Sequence, residues 1–502
     1  MKALRKWQDI EIVLHHTGTI LVGFSPLYLL PLITSMVCAE YSVAIDFAIG
    51  LGATLTVGAG LALFFRSGRR TGWLHGMVTA GISWLAAMVC AALPYWLSGQ
   101  YRSYLDAMFD VMSGLTTTGL TLIQDLDHAS NGINMWRHVL TFVGGQGIIV
   151  LALALFVDGS GGGYGFYVGE GKDERLFPSV MNTAKSIWRI SIIYLAVGTL
   201  ALWLAGLFIG LSPGRSFLHG LWIFMAAWST GGFAPMSLNV LYYHSALYEG
   251  LAMTFFIIGS FNFALHAAAM RGNRRELVKN IEVVSFGTTL CITAILCCWG
   301  LAKLGVYPDV IALFRKGFFQ LVSAHTTTGF MTIYARQFHT EWGDLAVLAV
   351  IIAMMIGGSA CSTAGGMKGL RVGILFKAIS QDTKRLLMPG ASVSVQKFSY
   401  HGKKVLSEQQ VRSAALVVLM YVGLFALVSV AGCVAGFPLL DSVFEAASVT
   451  GNVGLSIGVT AASMPALLKT IYILAMWAGR LEFMAVLAVI GFAGSFLKRR
   501  PA

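Results

Sequence analysis

Ser113–Thr121 reads SGLTTTGLT, and three altered copies follow it: AAWSTGGFA from Ala226, SAHTTTGFM from Ser323 and SVTGNVGLS from Ser448. Their closing glycines, Gly119, Gly232, Gly329 and Gly454, lie 113, 97 and 125 residues apart, so one unit of about a hundred residues is used four times. Aligned on those glycines, Thr117, Thr230, Thr327 and Asn452 share a column, and Thr116, Ser229, Thr326 and Gly451 share the one before it. The fourth copy is the most divergent. A single TTTG would be weak evidence, because Gly and Thr are common where transmembrane helices pack. Four copies at similar spacing point to one pore lined by four pieces of backbone.

The solvent follows from composition. Apolar residues make up 56% of the chain and charged ones 12%, and mean hydropathy is +0.73. Such a chain meets lipid over most of its surface. Apolar runs near the ~20 residues needed to cross a hydrocarbon core occur at 17–37, 44–65, 72–98, 133–157, 186–211, 246–270, 281–304, 343–367, 411–435 and 465–496, which predicts ten spanning helices. The four threonine- and glycine-rich copies are too short to span. Each is expected to dip in as a helix and return as extended chain, shielded by protein or lining a wet cavity, since lipid tolerates no unpaired backbone.

Cytoplasmic loops accumulate Lys and Arg. Along the ten-helix layout, 26 of the 35 basic residues fall on one side: at the N-terminus, in Arg66–Arg70, Lys172–Arg189, Arg271–Lys279, Lys368–Arg412 and Lys498–Arg500. Both termini are thereby expected in the cytoplasm, and the four copies approach from the opposite side. This topogenic signal accounts for the net charge of +12 without any nucleic acid partner. The basic flank Met1–Trp7 precedes a span-length apolar segment and Val37-Cys38 lacks a lipoprotein cleavage pattern, so a retained anchor is expected. The seven cysteines form no zinc-ligand spacing and are assigned to packing.

The repeated segment suits an alkali ion. Leaving water, such an ion must exchange its hydration shell for oxygen dipoles, which rings of backbone carbonyls supply without a fixed charge that would trap it. Glycine permits the angles that turn successive carbonyls inward, and Thr and Ser hydroxyls add oxygen or brace the loop from behind. Helices preceding the loops, such as Leu105–Leu115 and Arg315–His325, would aim their carbonyl ends at the cavity, where the macrodipole favours a cation.

TTTG, STGG, HTTTG and TGNVG, with GGQGIIVLALAL at 144–155, GGSACSTAGGMKGLR at 357–371 and GRLE at 479–482, make the chain resemble the Trk/Ktr/HKT superfamily of potassium transporters, nearest its bacterial TrkH type, over nearly its whole length. The resemblance implies an all-α membrane protein: ten transmembrane helices, with four pseudo-repeated helix/pore-loop/helix units around one central pore plus two extra N-terminal helices. It divides the chain into an N-terminal pair of helices (1–70) and pore repeats at 71–170, 171–277, 278–405 and 406–502. Carried over by position, it makes Thr116, Thr117, Thr118 and Gly119, Ser229, Thr230, Gly231 and Gly232, Thr326, Thr327, Thr328 and Gly329, and Gly451, Asn452, Val453 and Gly454 the potassium-binding filter. Sodium-preferring plant relatives carry serine in the first loop, and Gly119 argues against that preference.

Within the run at 343–367, the stretch GGSACSTAGGMKG, Gly357–Gly369, is too rich in glycine for a stable helix interior. A break is expected there. The resemblance makes it a gating loop beneath the filter, built on Gly357, Gly358, Ser359, Ser362, Thr363, Gly365, Gly366 and Lys368 and opposed by Arg480. Arg480 lies about 15 residues into the last run, ~22 Å along a helix, where a charge is costly and usually paired or functional. The broken loop, Asp110 and Glu445 are all candidate partners. Lys469 is expected to reach the outer interface, and His325 either to titrate near neutral pH or to stay neutral in a hydrogen-bonding role.

Val393, Val395, Phe398, His401-Gly402 and Val405 are expected to form a small inner hairpin. The resemblance implies that the inner face docks a cytosolic TrkA-type nucleotide-binding ring and that the subunit is a homodimer of the bacterial inner membrane. GSGGGYG at 159–165 fits neither phosphate-binding glycine spacing, so no nucleotide cofactor is expected in this chain. The expected activity is potassium ion uptake through a channel-like pore, with passive and proton-coupled transport both open and no enzymatic chemistry. The alternatives are a secondary carrier for an organic solute or a less selective sodium/potassium transporter.

Overall fold

The computed structural model describes residues 2–66, 71–148, 150, 180–388, 395–400 and 402–497, and its regular structure is helical apart from one two-stranded hairpin. One order of elements recurs four times: a long helix, a short buried helix, a non-helical stretch and a second helix. The long helices are Trp73–Leu97, Val180–Phe208, Ile281–Leu304 and Glu408–Val434. The short ones are Tyr104–Leu115, Pro213–Trp228, Phe319–His325 and Leu439–Gly451, and the returning ones are Asn131–Gln146, Ala246–Gly259, Gly343–Ile356 and Ala466–Arg480. Each long helix packs along the short helix of its own unit, while Lys2–Phe24 and Tyr41–Phe64 lie against Trp73–Leu97.

Short polar residues set the starts of these helices. Ser103, Ser130 and Ser245 accept from the backbone N–H three residues on, and Ser407 forms a reciprocal box with Gln410. Each cap satisfies a donor the first turn leaves unpaired. The interior is dense with indole: Trp84, Trp136, Trp222, Trp228 and Trp342 are fully buried. Outward faces are equally apolar, as at Leu419 and Val430 of the last long helix, which suits lipid as the surrounding solvent.

The ten expected spans are not ten unbroken helices. Among the described residues six helices are long and apolar enough to cross a membrane, or eight counting each bent pair as one span. The runs at 246–270 and 465–496 are each two helices, meeting at 100° and 114°. The helix in the run at 343–367 ends at Ile356, and that in the run at 133–157 is interrupted after Gln146, where Gly147 turns at φ 103°. So the break expected in the third unit occurs in all four returning helices, each after 14 to 16 residues. Hydropathy cannot register this, because a single Asn262 or Glu482 barely lowers the mean over a span-length window, and the interruption lies in the backbone angles. Glu482 and Phe483 turn at φ 50° and 68°.

The hairpin pairs Lys397–Ser399 antiparallel with Lys403–Val405, with Lys397 opposite Val405. Phe398 and Tyr400 pack with Ile281, Ile374 and Ala414. Val393, His401 and GSGGGYG at 159–165 lie outside the described residues.

Candidate functional site

The four short helices end side by side, and the segments that follow them close a ring. A Cβ on Gly119 would lie 2.4 Å from the Gly231 carbonyl oxygen, one on Gly232 2.1 Å from that of Thr328, one on Gly329 2.1 Å from that of Val453, and one on Gly454 1.9 Å from that of Thr118. Each closing glycine therefore abuts the next unit's backbone, and the fourth returns to the first. Only a residue without Cβ permits that approach, and all four also adopt left-handed φ, between 61° and 93°.

One backbone device builds all four segments. The N–H groups of Thr118, Gly231, Thr328 and Val453 each donate 2.8 Å to the carbonyl five residues back, closing the short helix after a single left-handed residue. That residue is Thr117, Thr230, Thr327 or Asn452, with φ 56°, 50°, 55° and 53°. Asparagine tolerates this conformation, whereas β-branched threonine does so at a cost of ~1–3 kcal/mol each. The hydroxyls of Thr116, Ser229 and Thr326 bond back to the carbonyls of Met112, Met225 and Val322, and Asn452 donates to Thr118 Oγ1 at 3.1 Å and to the Met476 carbonyl at 2.9 Å. These side chains tie the ring segments to the helices and to one another.

One face of the ring opens on a cavity of about 290 Å³ lined by Gly119, Gly232, Gly329 and Gly454. The other face is covered by the loop between Ile356 and Gly369. Gly357 and Gly366 turn at φ 75° and 76° and touch each other, pinching the loop closed. Thr363 Oγ1 donates to the carbonyls of Gly259 and Trp228 at 2.8 and 3.0 Å, Thr230 donates to Thr363 Oγ1 at 3.3 Å, and Gly365 N–H donates to Thr327 Oγ1 at 2.7 Å. A Cβ on Gly365 would lie 2.1 Å from the Gly451 carbonyl. The loop thus touches the second, third and fourth units directly.

Arg480 completes the enclosure from the end of its helix. Nη1 donates to the Thr363 carbonyl at 2.6 Å and to Thr117 Oγ1 at 3.2 Å, and Nη2 to the carbonyls of Gly144 and Gly145 at 2.8 and 3.1 Å. Of the candidate partners, then, the broken loop is the one it meets, through a carbonyl. Asp110 and Glu445 hold the stretches leaving the ring, accepting from Leu122 N–H and Ile457 N–H. Lys368, itself buried at φ 75°, donates to the Ala364 carbonyl and lies 3.9 Å from Glu482, which also pairs with Arg371.

The structure corrects one expectation and fills in another. Lys469 is buried, not interfacial: it pairs with Asp106 at 2.6 Å and donates to the Ala462 carbonyl, because Asp106 sits in the first turn of the neighbouring short helix. His325 is buried with Nε2 2.8 Å from Thr289 Oγ1 and its ring edge against Phe286. Glu282 was missed by sequence reasoning. It is fully buried and accepts from the loop N–H of Ala360 at 2.6 Å and from Asn262 at the second unit's break at 3.3 Å. No motif surrounds it that could have flagged it.

A lipid-facing helical bundle with a fourfold ring of backbone at its centre defines a membrane transport protein. Residues 45–493 match the sequence profile of TrkH, described as a cation transport protein, and the chain belongs to that family. It is 30% identical over 493 residues to an uncharacterized cation transporter of Methanocaldococcus jannaschii, covering 98% of this chain and 97% of that protein. It is 29% identical to the Trk system potassium uptake protein TrkH of Halomonas elongata, covering 98% of this chain and all of that one. The crystal structure of the potassium transporter TrkH from Vibrio parahaemolyticus superposes with a TM-score of 0.81 at 26% identity, over 96% of this chain and 99% of that one. Members of the family are membrane ion transporters, not enzymes.

Proposed function

We propose that this chain is a potassium-uptake subunit in which Thr116–Gly119, Ser229–Gly232, Thr326–Gly329 and Gly451–Gly454 form the ion-selective filter. The observation that carries the proposal is the closed ring order, each closing glycine seated on the next unit's carbonyl. Such a ring can replace the hydration shell of a monovalent cation with carbonyl dipoles, and four short-helix carbonyl ends directed at it add favourable potential. Potassium is the ion named for the relatives in Halomonas elongata and Vibrio parahaemolyticus. With each returning helix and its continuation counted as one crossing, the chain has ten spans in the units 71–170, 171–277, 278–405 and 406–502, after the pair in 1–70.

The stretch Gly357–Lys368, held by Arg480, is the gate. It occupies the space beneath the ring, and a guanidinium there opposes cation passage until the loop moves. The basic inner rim supports a cytoplasmic position for this side, in a protein of the inner membrane. There the hairpin Lys397–Val405 is the docking surface for a TrkA-type nucleotide-binding ring, and the subunit works as a homodimer; both follow from the family resemblance.

Purified protein in liposomes provides the test. A potassium gradient should drive uptake of rubidium tracer, with sodium flux at least tenfold lower, and deleting Ser359–Gly365 should raise the flux. Uptake of an organic solute without alkali flux would overturn the proposal.

A further inference from the structure

The closing glycines define a register in which one further position stands out. Nine residues before each lie Asp110, Ile223, Gln320 and Glu445, and three residues after each lie Leu122, Pro235, Thr332 and Ile457. In three units the first side chain accepts from the backbone N–H of the second residue, twelve positions on: Asp110 Oδ1 from Leu122 at 2.6 Å, Gln320 Oε1 from Thr332 at 3.0 Å, and Glu445 Oε1 from Ile457 at 3.1 Å. In the second unit the acceptor is replaced by isoleucine and the donor by proline, which has no N–H to satisfy. The chain therefore either makes this bond or removes both halves of it.

All three acceptors are fully buried. Asp110 also accepts from Thr121 Oγ1 at 2.7 Å and Tyr101 OH at 2.9 Å. Glu445 also accepts from Ser456 Oγ, from Val459 N–H at 3.3 Å and from Thr460 Oγ1 at 2.7 Å. Gln320 uses its amide to donate to the Phe330 carbonyl, one residue past the closing glycine, at 3.2 Å. Each side chain ties the strand leaving the ring back to the short helix entering it, so the backbone between is fixed at both ends.

We propose that Asp110, Gln320 and Glu445 are positioning residues that set the ion selectivity of the filter by fixing the exit strand through an acceptor oxygen, not through their charge. This rests on the filter assignment above. The charge is dispensable because the third unit makes the same bond with a neutral amide. A glutamine at 445 could keep Oε1 on the N–H groups and turn its NH2 to the Thr460 hydroxyl, which accepts as readily as it donates. An asparagine at 110 could likewise turn its NH2 to Thr121 and Tyr101.

The test compares Glu445→Gln, which keeps reach and removes charge, with Glu445→Asp, which keeps charge and withdraws the oxygen by one methylene. Full-length protein in liposomes is assayed for the potassium-to-sodium permeability ratio by reversal potential. Glu445→Gln should stay within twofold of the unsubstituted protein, and Glu445→Asp should lower the ratio at least fivefold. A loss of selectivity in Glu445→Gln, or an unchanged ratio in folded Glu445→Asp, would overturn the proposal. Should Glu445→Asp fail to assemble, Asp110→Asn against Asp110→Glu poses the same comparison: the asparagine variant should keep the ratio and the glutamate variant lower it, and the reverse pattern would overturn the proposal. A change in packing alone would lower protein yield or total flux and leave the ratio untouched. Absence of alkali flux in the unsubstituted protein would instead count against the filter assignment.

Discussion

The guanidinium of Arg480 joins three chain segments that are far apart in sequence. Its Nη1 lies 2.6 Å from the Thr363 carbonyl, and its Nη2 lies within 3.1 Å of the carbonyls of both Gly144 and Gly145. It thereby bridges the loop under the ring to the ends of the first and last returning helices. Its planar fork serves both sides at once, which a lysine ammonium on a flexible stem cannot reproduce.

Arg480→Ala removes both the bridge and the positive charge below the ring, so rubidium uptake into liposomes should rise severalfold. Arg480→Lys keeps the charge and loses the fork, and its flux should fall between the two. Equal fluxes in all three proteins would mean that the loop does not limit passage.

Gly119→Ser places a Cβ 2.4 Å from the Gly231 carbonyl, at a φ of 89° that serine rarely adopts. The contact is backbone, so the ring itself must shift. Discrimination of potassium from sodium should weaken about tenfold, equivalent to ~1.4 kcal/mol, read as a change in reversal potential. Gly210→Ser, also at positive φ but facing open space, is the control and should leave the ratio unchanged.

Returning helices approach the short helices through glycine. A Cβ on Gly144 would lie 1.9 Å from the Leu115 carbonyl, and one on Gly259 2.3 Å from that of Trp228. Replacing a mid-helix glycine by alanine ordinarily stabilises by ~0.5–1 kcal/mol, and Gly250→Ala, with nothing near it, should do so. Gly144→Ala and Gly259→Ala should reverse the sign, because backbone cannot yield as a side chain can. Melting in detergent, followed by the loss of the monodisperse peak, distinguishes the two classes.

Lys469 and Asp106 form a buried pair at 2.6 Å. Removing one partner strands the other charge, a loss of ~3–5 kcal/mol, so Lys469→Met and Asp106→Leu should each lower the melting temperature strongly. The double substitution should recover most of the loss. Additive losses would show that the two side chains act independently.

Much of this molecule was legible in the chain. The register of the four closing glycines predicted their convergence, since four copies of a segment too short to span must meet where protein or water shields their backbone. The break after Ile356 followed from the glycines at 357 and 358. The breaks after Gly259 and Arg480 did not, because Phe261 and Phe483 look like ordinary span residues and one Asn262 inside an apolar run does not by itself signal a bend. Lys469 was misplaced for a related reason: hydropathy ranks a lysine as a surface residue unless its partner is known, and Asp106 lies 363 positions away. The shared task of the acceptors at 110, 320 and 445 was not read from the sequence, because three different residue types perform it and no motif surrounds them.

Every returning helix stops just below the ring and resumes, where described, in a new direction. Under the proposed function, what discriminates between ions lies on one side of these breaks and what controls their passage lies on the other. On that reading, substitutions beyond the breaks would retune when ions pass without altering which ions pass, so a lineage would change its regulatory input while inheriting its specificity.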